Sequence, residues 1–439
     1  DASSDKAMKQ KIRQIIYDIR RQPVIGSVTI IATALSIFLF MVVAITSRVS
    51  VVPFAPESCR DRLLIADNIH FEPIKEGGTR NGFGLCHYTA KKLYGGLDGV
   101  ENMAIIRDWL VPHNVNGSTE KCFEAETRDV DAAFFRIFDH TLISGRYFTD
   151  EEAYANMPVV VISESTARKA FGTTECEGKT LVIDQKEYTV AGVVKDSSLL
   201  ATHAGGDVFI ATGPETESGK KESPYFSPIM QYMNNLTAIM LVKEGVDFDY
   251  IRKQVKARYA EFNTEIESMG YEVVYHGSPF DQKTVTSGEI DNYSSPDFSR
   301  QEHERYLLYA ILLILPAINL STLLHSRMRR RVNEIGIRRA FGCTRAKVIV
   351  DIISENFLLT LVGGIIGVTI GITFAITYSG LYESLDTVGM QITPAITAVI
   401  NGGTLLIAVA VCFILNLISA FVPAWQASRL NPVEAINAK

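Results

Sequence analysis

Four cysteines, Cys59, Cys86, Cys122 and Cys176, lie in one long hydrophilic part of the sequence. They could be oxidised to two disulfides in any of three connectivities, or stand as buried free thiols. Their spacing matches no zinc pattern. The run "GPETESGKK", Gly213–Lys221, comes near a phosphate loop, but five residues rather than four separate its two glycines. Lys221 also stands where a Ser or Thr would hold magnesium, so the run reads as a polar loop. HExxH, GxSxG and Cys-x-x-Cys are all absent. Neither a catalytic residue set nor a cofactor or metal site is therefore expected. A different chemistry is offered by "NEIGIRRAFG", Asn333–Gly342. Glu334 and Arg338 form an i,i+4 pair worth about 0.3 kcal/mol on a helix. Gly342 suits a helix end, and Thr344 suits the cap of the next helix. The apolar Ile335, Ile337 and Phe341 fit docking on a partner protein.

The elements around this stretch are long and apolar. Val24–Thr46 is 23 residues without a charge, Tyr306–Leu324 is 19, Phe357–Tyr378 is 22, and no charge occurs between Asp386 and Arg429. At about 1.5 Å per residue, runs near 20 cross a bilayer core of about 30 Å. Four spans are predicted, at 24–47, 306–325, 355–378 and 403–422. Between the first two, residues 51–304 carry 25 Lys+Arg and 40 Asp+Glu, a net charge of −15, against +9 for the rest of the chain. Such separation of charge argues for separate compartments. Lys and Arg cluster before the first span and across 327–347, whereas Ser379–Gly403 has none. Positive charge stays inside, which places both termini and the 327–347 loop in the cytoplasm and the acidic block outside.

Met8 reads as a natural start. Residues 8–22 then form a basic amphipathic helix lying on the inner leaflet until Pro23 turns the chain into the bilayer. Gly363, Gly367 and Gly371 recur every four residues in the third span and predict a face on which another helix packs closely. Pro316 predicts a kink, while Asn319 and Asn416 are polar groups bonded to a neighbouring helix. No Asp, Glu, Lys or Arg lies deep in a span, which argues against a proton- or ion-coupled transporter. The outer block reads as α/β: strands in "DRLLIADNIHF" and "LTAIMLVK", a helix from Asp249 ended by Gly270, and a hairpin in "KTLVIDQKEYTVAGVV". The fold class is an α-helical membrane protein with four transmembrane helices, arranged 1+3, plus a large α/β extracytoplasmic domain. The last segment, 423–439, is a cytoplasmic tail.

Three stretches carry a resemblance to a known family. "NEIGIRRAFGCTRAKV" resembles the cytoplasmic signature of MacB/FtsX-type permeases of ABC transporters. "VPAWQASRLNPVEAI" resembles their C-terminal signature, in which Pro423, Ala427, Arg429, Pro432 and Glu434 match. "VDAAFFRIFDHTLISGRYFTDEEA" and "YTVAGVVKD" are similar to the MacB-like periplasmic core domain. The resemblance implies a non-catalytic permease subunit in the bacterial inner membrane, driven by a separate cytoplasmic ATPase that binds the ATP and magnesium. Unlike MacB, these residues hold no fused ATPase, as in the FtsX and LolC/LolE branches. It implies mechanotransmission, with Glu334, Ile335, Gly336, Arg338, Arg339, Ala340 and Gly342 as the ATPase-coupling site. The implied partners are that ATPase, a second permease copy or paralogue, and a periplasmic adaptor with an outer-membrane duct; no nucleic acid is involved. The implied output is efflux of a periplasmic compound or peptide; lipoprotein extraction and control of a cell-wall hydrolase are the alternatives.

Overall fold

The computed structural model describes residues 23–49, 51–75, 80–118, 122–197, 201–214, 228–287 and 332–384, with short helical pieces within 303–314 and 410–426. They fall into two compact units. One is β-rich and takes in residues 49–301 together with the helix end at 380–384; the other is helical and draws on residues up to 48, 302–379 and from 399 onward.

In the β-rich unit the strands are β1 (Leu63–Ala66), β2 (Ile69–Pro73), β3 (Asn81–Phe83), β4 (Val100–Ile106), β5 (Val111–Asn116), β6 (Phe123–Val130) and β7 (Leu142–Gly145). They continue as β8 (Val159–Ser163), β9 (Thr180–Ile183), β10 (Lys186–Val194), β11 (Val208–Ala211), β12 (Thr237–Val242), β13 (Tyr271–Val274) and β14 (Phe280–Asp281). Six of them close into a ring in the order β6-β5-β9-β10-β8-β11, because β11 pairs antiparallel with β8 and parallel with β6. Closure leaves the ring without exposed edges. Its strands supply Val160, Ile162, Leu181, Val190, Val193 and Val208 to one core shared with the helix Glu164–Phe171. β6 also pairs with β4, and β4-β12-β1-β14 continue the sheet outward. The helix Phe248–Ile266 buries Ile251, Val255, Tyr259, Phe262 and Ile266 in a second core with the helix His87–Tyr94 and the small sheet β13-β2-β3. That helix passes through a 3-10 turn and stops at Gly270, which is left-handed at φ 82°. The β9–β10 hairpin turns through Asp184 and Gln185, both at positive φ, the conformation that matches the twist of the flanking strands.

The family-like stretch 130–153 is built from local devices. A Cβ on Gly145 would collide with the Ala191 carbonyl oxygen, so β7 can approach β10 only with glycine there. Thr149 and Glu152 form a capping box at the helix Asp150–Tyr154, and Arg146 grips Glu152 through two nitrogens at 2.7 Å.

None of these four cysteines is joined in a disulfide in this structure, the thiol alternative of the two that the sequence leaves open. Cys86 is buried and caps the helix His87–Tyr94 through its sulfur, whereas Cys176 is buried in the core with Val160 and Leu181. Burial pushes the Cys59 and Cys176 thiols up, which slows their attack as thiolates. We expect all four to be alkylated under denaturing, non-reducing conditions, with the exposed Cys122 labelled first in the native protein; mass spectrometry showing a pair unmodified after denaturation would contradict this.

Among the described residues, two helices are long and apolar enough to cross a membrane, within Pro23–Val49 and Arg345–Ser384. The predicted amphipathic helix at 8–22, the Gly213–Lys221 loop from residue 215 onward, Pro316, Asn319, Asn416 and most of the second and fourth predicted spans lie outside the described residues.

Candidate functional site

The stretch singled out in the sequence forms a helix, Val332–Ala340, followed after four residues by the helix Arg345–Ser384. The join is specified atom by atom. The Cys343 amide donates to the Arg338 carbonyl at 3.0 Å and the Gly342 amide to the Arg339 carbonyl at 3.1 Å, the paired bonds of a Schellman ending. Gly342 sits at φ 92°, a conformation that a side chain would strain. Thr344 Oγ1 then accepts the Lys347 amide at 3.3 Å, capping the long helix.

The short helix is two-faced. Ile335 is buried with Val348 and Ile352, and Cys343 and Ile349 close over this cluster; Gly336 is buried beside them. On the other side Ile337 is 48% exposed and Phe341 is 88% exposed. Arg338 and Ala340 share that outer side, and Arg339 is half-buried. An exposed Phe and Ile between arginines is a surface suited to a protein partner, with apolar anchors and charges for register. The Glu334 side chain, and with it the expected pair to Arg338, lies outside what the structure describes.

Gly363, Gly367 and Gly371 lie against the helix Pro23–Val49. A Cβ on Gly363 would come 2.8 Å from the Ile30 carbonyl oxygen, one on Gly367 2.6 Å from that of Ala34, and one on Gly371 2.6 Å from the Met41 sulfur. Gly364 is different: a Cβ there would find Ile37 at an ordinary 3.5 Å. Phe374 meets Phe38 edge-on beyond the last glycine, with ring centroids 5.7 Å apart.

Sequence reasoning missed a buried charged cluster in the β-rich unit. Glu57 and Arg60 are paired with both side chains 0% exposed, and the Arg60 guanidinium stacks over Phe54. The other Glu57 oxygen accepts the His203 and Ala204 amides, each at 2.8 Å. His203 Nδ1 lies 2.7 Å from Asp108, and Arg128 donates to the carbonyls of Gly205, Thr202 and Asp108. Although burial opposes it, the Asp108 carboxylate pushes the His203 imidazole up. Asp108 itself is held below the usual carboxylate range by His203 and Arg128, against its own burial. Beside the cluster a cavity of about 350 Å³ opens, lined by Trp109, Asp108, Glu126, Asp196 and Asp207 among others. Asp207 and Asp196 already accept the Glu126 and Ser165 amides there, so this mouth is part of the framework. Among the described residues, no group of three or more His, Cys, Asp or Glu is placed to hold a metal ion.

A family model described as a MacB-like periplasmic core domain matches residues 25–258, more than half of the chain. The chain belongs to the MacB-like permease family. A second model, the FtsX-like permease C-terminal domain, matches residues 306–432 and so includes the short helix and the glycine face. The macrolide export ATP-binding/permease protein MacB of Pasteurella multocida is 25% identical over 71% of this chain and 43% of its own length. The permease YknZ of Bacillus subtilis, an uncharacterized ABC transporter permease, is 22% identical over 71% of this chain and 70% of its own. The chain thus spans about half or less of the length of the MacB relatives it matches. A domain of a permease protein from Porphyromonas gingivalis matches with a TM-score of 0.35 at 19% identity, over 51% of this chain and 92% of that one. The periplasmic region of MacB from Actinobacillus actinomycetemcomitans matches with a TM-score of 0.33 at 14% identity, over 50% of this chain and 91% of that one.

Proposed function

We propose that this MacB-like permease works in the inner membrane as the passive half of an ABC transporter, with both termini inside and its β-rich unit in the periplasm. ATP and magnesium are bound by a separate ATPase subunit, which docks on Ile337, Phe341 and the arginines of the short helix. Two permease copies or paralogues share one ATPase pair, and the permease passes its motion outward without carrying cargo through the bilayer. The observation that carries this reading is the two-faced helix, clamped inward by Ile335 and presenting Phe341 outward. Efflux is the favoured output, because relatives are named as exporters of chemically different products, macrolides, syringafactin and pyoverdine. An adaptor and an outer-membrane duct would complete the path.

The test is Gly336→Trp combined with Glu334→Lys. Overpacking at the buried glycine costs about 1–3 kcal/mol, and the charge reversal puts like charges together one turn apart. Neither position lies in a predicted span, so the variant inserts normally. The expected result is a loss of co-purified or permease-stimulated ATPase of roughly tenfold or more. Unchanged binding and turnover in nanodiscs would sink the docking assignment.

A further inference from the structure

We propose that the short helix and the helix Arg345–Ser384 form one rigid lever, and that its motion leaves the helical unit through the glycine contact with the helix Pro23–Val49. The inference rests on the transmission reading above and assigns its route.

Three observations make the route. The first is the elbow, where a Schellman ending, a left-handed Gly342 and the Thr344 cap define every residue of the join. The Ile335, Val348 and Ile352 cluster fastens the two helices side to side across that join. A push on Phe341 therefore turns both helices together, because bending the elbow would break the paired bonds and open the cluster. The second is the rod. Arg345–Ser384 is 40 residues without an interruption and contains no proline to hinge it. Its length is about 60 Å at 1.5 Å per residue.

The third is the seam. At Gly363 and Gly367 the rod meets the backbone of the other helix, and at Gly371 it meets Met41. Interiors packed this closely transmit displacement, because sliding would drive side-chain ridges over one another. Thr33, Ala34, Ile37 and Met41, the residues facing the seam, are all buried, whereas Ile31 and Leu35 on the other side are exposed. From Val49 the same chain enters the β-rich unit, so a displaced helix Pro23–Val49 pulls directly on that unit.

The experiment uses the full chain in nanodiscs with its co-purified ATPase, and reads the ATP-dependent change in hydrogen–deuterium exchange of residues 60–280. Gly367→Leu should keep the ATPase bound and reduce that change at least fivefold. Gly342→Val should also reduce the change, while Gly342→Asn, which tolerates the left-handed conformation, should retain it. The pair Met41→Cys with Gly371→Cys, in a background with Cys122 and Cys343 replaced by serine and oxidised with copper phenanthroline, joins the helices across the seam. A Cβ on Gly371 lies 3.2 Å from Met41 Cβ, close to disulfide reach. A rigid seam predicts that the cross-linked protein still responds to ATP. Abolition of the response by the cross-link, or a full response in Gly367→Leu, would overturn the route. Absence of any ATP response in the unaltered complex would instead remove the transmission reading itself, and the route with it.

Discussion

Glu57→Ala lowers the stability of the β-rich unit by about 3–5 kcal/mol, the range seen when one member of a buried ion pair is removed. Glu57 and Arg60 are paired out of contact with water, so the truncation removes the carboxylate that faces the buried Arg60 guanidinium. It also strips the His203 and Ala204 amides of their shared acceptor. These two amides hold the segment that supplies the Arg128 acceptors Thr202 and Gly205, so the loss spreads to β6. The measurement is urea unfolding of the detergent-solubilised chain, followed by Trp109 fluorescence. Asp150→Ala is the comparison. Its partner Arg136 is 48% exposed and Asp150 is 64% exposed, and such pairs contribute about 0–1 kcal/mol. Equal losses in the two variants would show that burial of the Glu57 pair has no energetic consequence.

His140→Phe changes how stability depends on pH. His140 is packed among Phe134, Phe135 and Phe209, with ring centroids 5.0–5.7 Å away. Burial pushes its imidazole down to about 3, with the nearby Arg128 charge adding to the shift and a hydrogen bond to the Ala204 backbone opposing it. The folded protein thus keeps His140 neutral where the unfolded chain protonates it. Stability is lost as pH falls below the ordinary value of 6.5, by about 1.4 kcal/mol per unit, until the folded value near 3 is reached. His87, pushed down to about 4 by burial, acts in the same direction. Asp131 acts oppositely: burial pushes it up to about 7, so between 3.8 and 7 the folded state holds the extra proton. Two histidines against one carboxyl leave the unaltered protein losing stability as pH falls, and the variant isolates the His140 share. Between pH 7 and pH 4.5, His140→Phe should gain about 2.5 kcal/mol on the unaltered protein. Parallel stability curves for the two proteins would refute the assignment.

What the sequence determined by itself is local and periodic. Runs of uncharged residues marked Pro23–Val49 and Arg345–Ser384 because spanning needs nothing but length and apolarity. The β9–β10 hairpin was legible in its alternation, and the end of the helix Phe248–Ile266 in Gly270, because such signals lie within a few residues of the feature. The four-residue recurrence of Gly363, Gly367 and Gly371 announced a close contact without naming its partner. Only the tertiary structure decided that the partner is the helix holding Ile30, Ala34 and Met41, more than 300 positions earlier in the chain. It likewise decided the closure of the ring through β6 and β11, and the meeting of Glu57 with His203 and of Asp108 with Arg128. Each of these depends on which distant residues share one place. No window of sequence contains that information, since long-range contacts are selected by the packing of the whole core.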